Sequence, residues 1–97
     1  MTKIDAKDFI APDGLIVGSG ELLARRLVEL LSSGHDLEVS MAGLRGVSSS
    51  YFNVVLHTLS EQFGPEIFSR RITFSFDSKP QREVFERSLA SVRSIPA

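Results

Sequence analysis

The run HDLEVSMAGLRGVSSSYFNVVLHTLSEQF, His35 to Phe63, constrains this chain more than any other stretch. Leu37, Val39 and Met41 alternate with Glu38, Ser40 and Ala42, which predicts a strand over 37–42. Phe52, Val55, Leu56, Leu59 and Phe63 then recur at i, i+3, i+4, i+7 and i+11, which predicts an amphipathic helix over 49–63. Gly64-Pro65 ends it. The five residues Gly43 to Val47 have no helical character, and Leu44 and Val47 are expected to turn into the core. Ser48, Ser49 and Ser50 fall where the loop becomes the helix. A strand followed so closely by a helix is the working half of a β-α-β unit, so the rest of the chain is read against that expectation.

Upstream, Lys3 to Ile10 alternates imperfectly, Ala11-Pro12-Asp13-Gly14 is a turn, and Leu15-Ile16-Val17 is a short β-branched run. Together they predict a hairpin of Lys3–Ile10 against Leu15–Gly18. Gly18-Ser19-Gly20-Glu21 then breaks the strand, with Ser19 as N-cap and Glu21 in the first turn. Leu23, Leu27, Leu30 and Leu31 place a helix over 20–33, stopped by Gly34. Downstream, residues 65–69 fit one short helical turn. Ile72, Phe74 and Phe76 alternate with Thr73 and Ser75, which predicts a strand over 71–76. Asp77-Ser78-Lys79-Pro80 is a turn with Pro80 at a helix start, and Val84, Phe85, Leu89 and Val92 form a third apolar stripe. The predicted order is ββαβαβα: an α/β fold with a mostly parallel four-stranded sheet, an antiparallel N-terminal hairpin edge and three helices, in one domain over 1–97.

Composition narrows the function. Eleven basic and twelve acidic residues leave a formal charge of −1, scattered rather than blocked, so no nucleic-acid footprint is present. Arg25-Arg26 and Arg70-Arg71 read as solvated face or strand flank. There is no cysteine. That removes disulfides, thiolate metal sites and a cysteine nucleophile. His35 and His57 are too far apart in sequence to suggest a metal site. The N-terminal MTKIDAKDF lacks a signal-peptide core and no apolar run reaches the ~20 residues of a membrane span. A cytoplasmic, soluble protein with no metal, cofactor, nucleic-acid or membrane partner is the expectation.

LEVSMAGLRGVSSSYFNVVL resembles the centre of STAS domains, the fold of bacterial anti-sigma-factor antagonists and of sulfate-transporter cytoplasmic domains. Those domains place a strand, a loop and a D-S-S-G-like tetrad before a helix. Here Ser48 stands in the aspartate position, Ser49-Ser50 in the two-serine position and Tyr51 in the glycine position. Val17-Gly18-Ser19-Gly20-Glu21-Leu22 is similar to the L-x-G-E-L step into their first helix. The chain is closer still to compact bacterial STAS-like domains, which share S-S-x-F at the helix start and an R-x-T/I-F strand later. The resemblance implies a non-catalytic regulatory module that binds a protein, often an anti-sigma factor that is also a serine kinase with a histidine-kinase-like ATPase fold. It implies phosphorylation of the second serine, Ser50, with Ser49 the close rival.

The residues support both a structural and a functional reading of those serines. A serine at a helix start can cap it, contributing ~1 kcal/mol. Three serines exceed what one cap needs, though a spare solvent-facing serine is common. Phosphate there would add nearly two negative charges and three acceptor oxygens, next to free N–H groups and the positive end of the helix dipole. The fold would tolerate the anion while a partner docked on the loop would not. Tyr51 and Asn53 are expected to point outward as exposed surface or partner contacts. Arg45, Gly46 and Ser48 complete the candidate partner-binding set. Ser50 and His57 lie seven apart, ~10 Å along a helix axis, too far for a nucleophile–base pair, so no enzyme is expected. Gly18-Ser19-Gly20 lacks the G-K-[ST] of a P-loop. The same helix start could instead hold a small ligand, nucleotide or anion in a sensor domain. The apolar content also leaves open a dimer through an edge strand.

Overall fold

Three four-residue strands carry the alternation read from the sequence: β1 Thr2–Asp5, β2 Leu37–Ser40 and β3 Ile72–Ser75. The computed structural model describes residues 1–10, 16–44 and 48–93, with Ile16, Val17 and Arg93 described by their backbone alone. The helices are α1 Ile16–Ser32, α2 Ser49–Phe63, α3 Ile67–Arg70 and α4 Lys79–Arg93, and a 3-10 turn, Ala6–Asp8, follows β1.

The sheet order is β1-β2-β3 and both pairings are parallel. Thr2, Leu37 and Ile72 form one cross-strand row, and Ile4, Val39 and Phe74 another on the same face. Both crossovers step the same way across the sheet, and right-handed crossovers then put their helices on one side. Accordingly α1 packs along α2, and α2 along α4. Leu23, Leu27 and Leu31 of α1, Phe52, Val55, Leu56 and Leu59 of α2, and Phe85 and Val92 of α4 form one core with Leu37, Val39 and Ile72. The opposite face carries Lys3–Glu38–Thr73 and Asp5–Ser40–Ser75. A parallel sheet covered on both faces reads as continuous apolar runs. This one alternates because, among the described residues, helices cover only one face.

The N-terminal hairpin is not formed by the described residues. β1 stops at Asp5, and Ile16 to Gly18, expected as its return strand, open α1. The turn at 11–14 and Leu15 lie outside the described residues. Among the described residues the sheet is three-stranded and wholly parallel, not four-stranded with an antiparallel edge. The fourth helix, α3, answers to the short turn expected at 65–69. Gly18-Ser19-Gly20 lies inside α1, and α2 packs closely on Gly20. A Cβ on buried Gly20 would lie 3.2 Å from the Tyr51 carbonyl oxygen, 3.4 Å from Tyr51 Cδ2 and 3.6 Å from Val54 Cβ. That approach outweighs the helix penalty of glycine, about 1 kcal/mol per residue. Ser19 is buried inside the helix and is not its cap.

The ends of α1 and β3 are locked together at the amino end of the sheet. Gly34, at φ 91°, donates to Leu31 O at 3.1 Å, and His35 N donates to Leu30 O at 3.1 Å. This pair of bonds is a Schellman stop, which needs the left-handed conformation glycine adopts without strain. Arg71 then binds the closure from β3. Its Nη2 donates to Leu31 O at 2.9 Å and to His35 O at 3.0 Å, and its Nε to Asp36 Oδ1 at 3.2 Å. Arg71 is therefore a structural staple rather than a solvated flank.

Candidate functional site

At the other end, where the strands terminate, open α/β sheets bind their ligands. The chain leaves β2 through a tight turn. Met41 N donates to Ser75 O at 2.9 Å, Ala42 N to Ser40 Oγ at 3.3 Å, and Leu44 N to Met41 O at 3.3 Å. Gly43 sits at φ 80°, and a Cβ there would meet Lys7 Cδ at 3.2 Å. Its N–H donates to Asp77 Oδ2 at 3.4 Å. From α4, Gln81 Nε2 donates to Leu44 O at 3.1 Å. The start of the β2–α2 loop is thus tied to the segment that follows β3, and Lys7 lies against it from the segment after β1.

Ser48 is the N-cap of α2, with extended backbone at φ −106° and ψ 172° and no side-chain cap bond. The first helical bond runs from Phe52 N to Ser48 O at 3.4 Å. The N–H groups of Ser49, Ser50 and Tyr51 therefore have no acceptor within the helix. Ser48, Ser49 and Ser50 are all exposed. By contrast α4 spends its cap: Ser78 Oγ accepts from Gln81 N at 3.5 Å.

Tyr51 corrects the expectation that it faces outward. It is 1% exposed, and its ring meets Phe52 edge-on at 5.5 Å between centroids. Burial pushes its phenol well above the usual tyrosine range, and the hydroxyl has no hydrogen-bond partner among the described residues. The helix stripe is one residue wider than the apolar spacing suggested, because α1 offers Gly20 at the place where the ring lands. Asn53 is half-buried, while Arg45 and Gly46 lie outside the described residues. Phe52 is held by three rings: Tyr51 of α2, Phe76 just after β3 at 6.2 Å, and Phe85 of α4 at 5.4 Å. Ser50 and His57 stay two turns apart on continuous α2. Among the described residues no three His, Asp or Glu side chains are grouped to hold a metal.

Three residues of this end were not singled out from the sequence as site residues. Asp77 carries only a turn signal. Lys7 and Gln81 carry no local signal, since their contacts are made 36 and 37 positions away.

The serine run, the loop before it and the α4 segment that ties it all fall inside one recognisable unit. A family profile described as a STAS-like domain of unknown function (DUF4325) covers residues 19–82. The chain belongs to this STAS-like family. The STAS-like match begins in α1, takes in β2, the serines, α2 and β3, and ends at Arg82 beside Gln81, so it contains all the described contacts of the β2–α2 loop except that of Lys7. No curated protein and no solved structure matches the chain. Among the described residues of this STAS-like chain, no helix is long and apolar enough to cross a membrane.

Proposed function

We propose that this STAS-like domain is a cytoplasmic, non-catalytic regulatory module that binds a protein partner, in the manner of an anti-sigma-factor antagonist. The docking surface is the β2–α2 loop and the start of α2: Arg45, Gly46, Ser48, the serines beside it and Asn53. Tyr51 serves it from within by seating α2. The partner is a histidine-kinase-like ATPase or anti-sigma factor, and phosphorylation of Ser50, or of Ser49, ends the complex.

The observation that carries this reading is the unspent serine run. Three exposed hydroxyls stand at a helix start whose cap makes no side-chain bond. A structural capping role would use at least one of them. A phosphate here meets N–H groups that have no acceptor within the helix, and the positive end of the α2 dipole, so the fold accepts it. The same anion would collide with a partner seated on the loop.

The test is mass spectrometry after incubation with a candidate kinase partner and ATP, alongside a binding assay. The expected result is phosphate on Ser50 or Ser49 with loss of binding. Ser50→Asp should weaken binding at least tenfold while Ser50→Ala leaves it within twofold. Partner release with Ser48–Ser50 unmodified would sink the switch. A second reading, a small-ligand or nucleotide sensor, is supported by the same N–H groups without an acceptor in the helix. It predicts a thermal shift with a nucleotide or small anion, growing with concentration as RT ln(1 + [L]/Kd).

A further inference from the structure

The β-ladder fixes which backbone groups of the sheet are spare. Leu37 N donates to Arg71 O at 2.8 Å and Met41 N to Ser75 O at 2.9 Å. With Leu37 paired to Ile72 and Val39 to Phe74, the odd-numbered residues of β3 bond toward β2. The N–H and C=O of Ile72 and Phe74 therefore point the other way, to an edge that pairs with no strand among the described residues. On β1 the bond from Thr2 N to Asp36 O, at 2.8 Å, leaves Lys3 and Asp5 on the outer edge by the same logic.

The two edges are guarded differently. Lys3 and Asp5 are charged and exposed, the usual protection against strand addition. β3 reads Ile-Thr-Phe-Ser: β-branched and aromatic, uncharged, with no proline or glycine. Its Thr73 is exposed and its Phe74 half-buried. The charges sit just outside the strand, exposed Arg70 before it and exposed Asp77 after it.

We propose that β3 is the contact strand of a homodimer, in which a second copy of this chain adds its own β3 antiparallel about a two-fold axis at Thr73. The charge arrangement selects this occupant and direction. Antiparallel addition sets Arg70 of each copy near Asp77 of the other, whereas parallel addition would set like charges together. In this register Ile72 exchanges both backbone bonds with Phe74 of the other copy, twice over. Thr73 meets Thr73 as a narrow pair with Cα atoms about 4.5 Å apart. The axis is perpendicular to the sheet, so both helix layers stay on one side and Ile72 lies beside Phe74 of the other copy on the covered face. The result is one continuous six-stranded sheet. A ladder this short falls below the area of an obligate interface, so the dimer forms with rising concentration.

The absence of cysteine makes the test direct. Thr73→Cys puts two thiols within disulfide reach across the axis, with Glu61→Cys on exposed α2 as control. The expected result is that the unmodified chain sediments toward twice its monomer mass as concentration rises. Thr73→Cys should then cross-link at least tenfold faster than Glu61→Cys. Thr73→Lys, at an exposed position, should keep the thermal midpoint and remain monomeric at the same concentrations. Asp77→Arg should weaken the dimer, and Asp77→Arg with Arg70→Asp should restore it. A chain that stays monomeric throughout would overturn the proposal. So would Thr73→Cys cross-linking no faster than the control, or a Thr73→Lys variant that dimerises as well as the parent.

Discussion

The two ends of the sheet are built on opposite plans. At the amino end, Arg71 reaches across from β3 and gathers Leu31 O, His35 O and Asp36 from outside the core. At the carboxyl end the hold is internal. Phe52, Phe76 and Phe85 interlock, while outside, the Gly43 N–H is held by a 3.4 Å contact to Asp77 and the Ser48 cap makes no side-chain bond among the described residues. The difference separates anchoring from display. Where the surface is cross-linked by a guanidinium, the carbonyls and carboxylate it gathers are taken up by the fold. Where the anchoring is buried, the surface groups stay available, as the proposed charge switch requires.

The largest test of that contrast is Phe52→Ala. Truncating a ring packed against three others should cost about 3–5 kcal/mol, read as a large fall in the urea midpoint. A loss below 1 kcal/mol would mean that the carboxyl end is not held from within. Next comes Arg71→Ala, which frees two backbone carbonyls and Asp36. It should cost about 1–3 kcal/mol, and amide exchange should rise at Gly34 and His35 rather than at Gly43. Uniform exchange across both ends would erase the distinction.

Smaller still is Tyr51→Phe. Removing a buried hydroxyl without a partner should leave stability unchanged or raise it by about 1 kcal/mol. The sign of its pH dependence follows from burial. The folded phenol holds its proton above the value of an unfolded tyrosine, about 10, so at higher pH the unfolded chain binds fewer protons and stability falls as pH rises. Tyr51 is the sole tyrosine, so tyrosinate absorbance should appear together with unfolding, and the alkaline loss it contributes should vanish in Tyr51→Phe. The smallest effect belongs to the surface itself. Ser49→Ala and Ser50→Ala should each shift stability by no more than about 0.5 kcal/mol, in contrast to any effect on partner binding.

Much of this was legible in the residues, and the reasons for the misses are specific. Phe52, Val55, Leu56 and Leu59 drew α2 to its observed limits because a helix over a sheet must repeat near 3.6. Ile72 and Phe74 drew β3 because one face is covered and the other is not. Ile16-Val17-Gly18 was misread because β-branched residues and glycine argue locally against a helix, while α1 as a whole is held by packing on α2, far along the sequence. Tyr51 was placed outside for the same reason. Arg71 looked like a solvated flank because its acceptors at 31, 35 and 36 come together only when α1 and β3 meet. The serines were visible from the start as a helix opening, but their freedom from capping is a property of the folded backbone.

The order β1-β2-β3 also has a consequence for synthesis. Each new strand is added beside the one before it, and the helix made between them lands on the same side. A chain emerging from the ribosome amino end first can therefore dock its units in the sequence in which they appear, without threading a late strand between two early ones. The growing rim at every stage is the newest strand, and when translation of the described residues is complete that rim is β3.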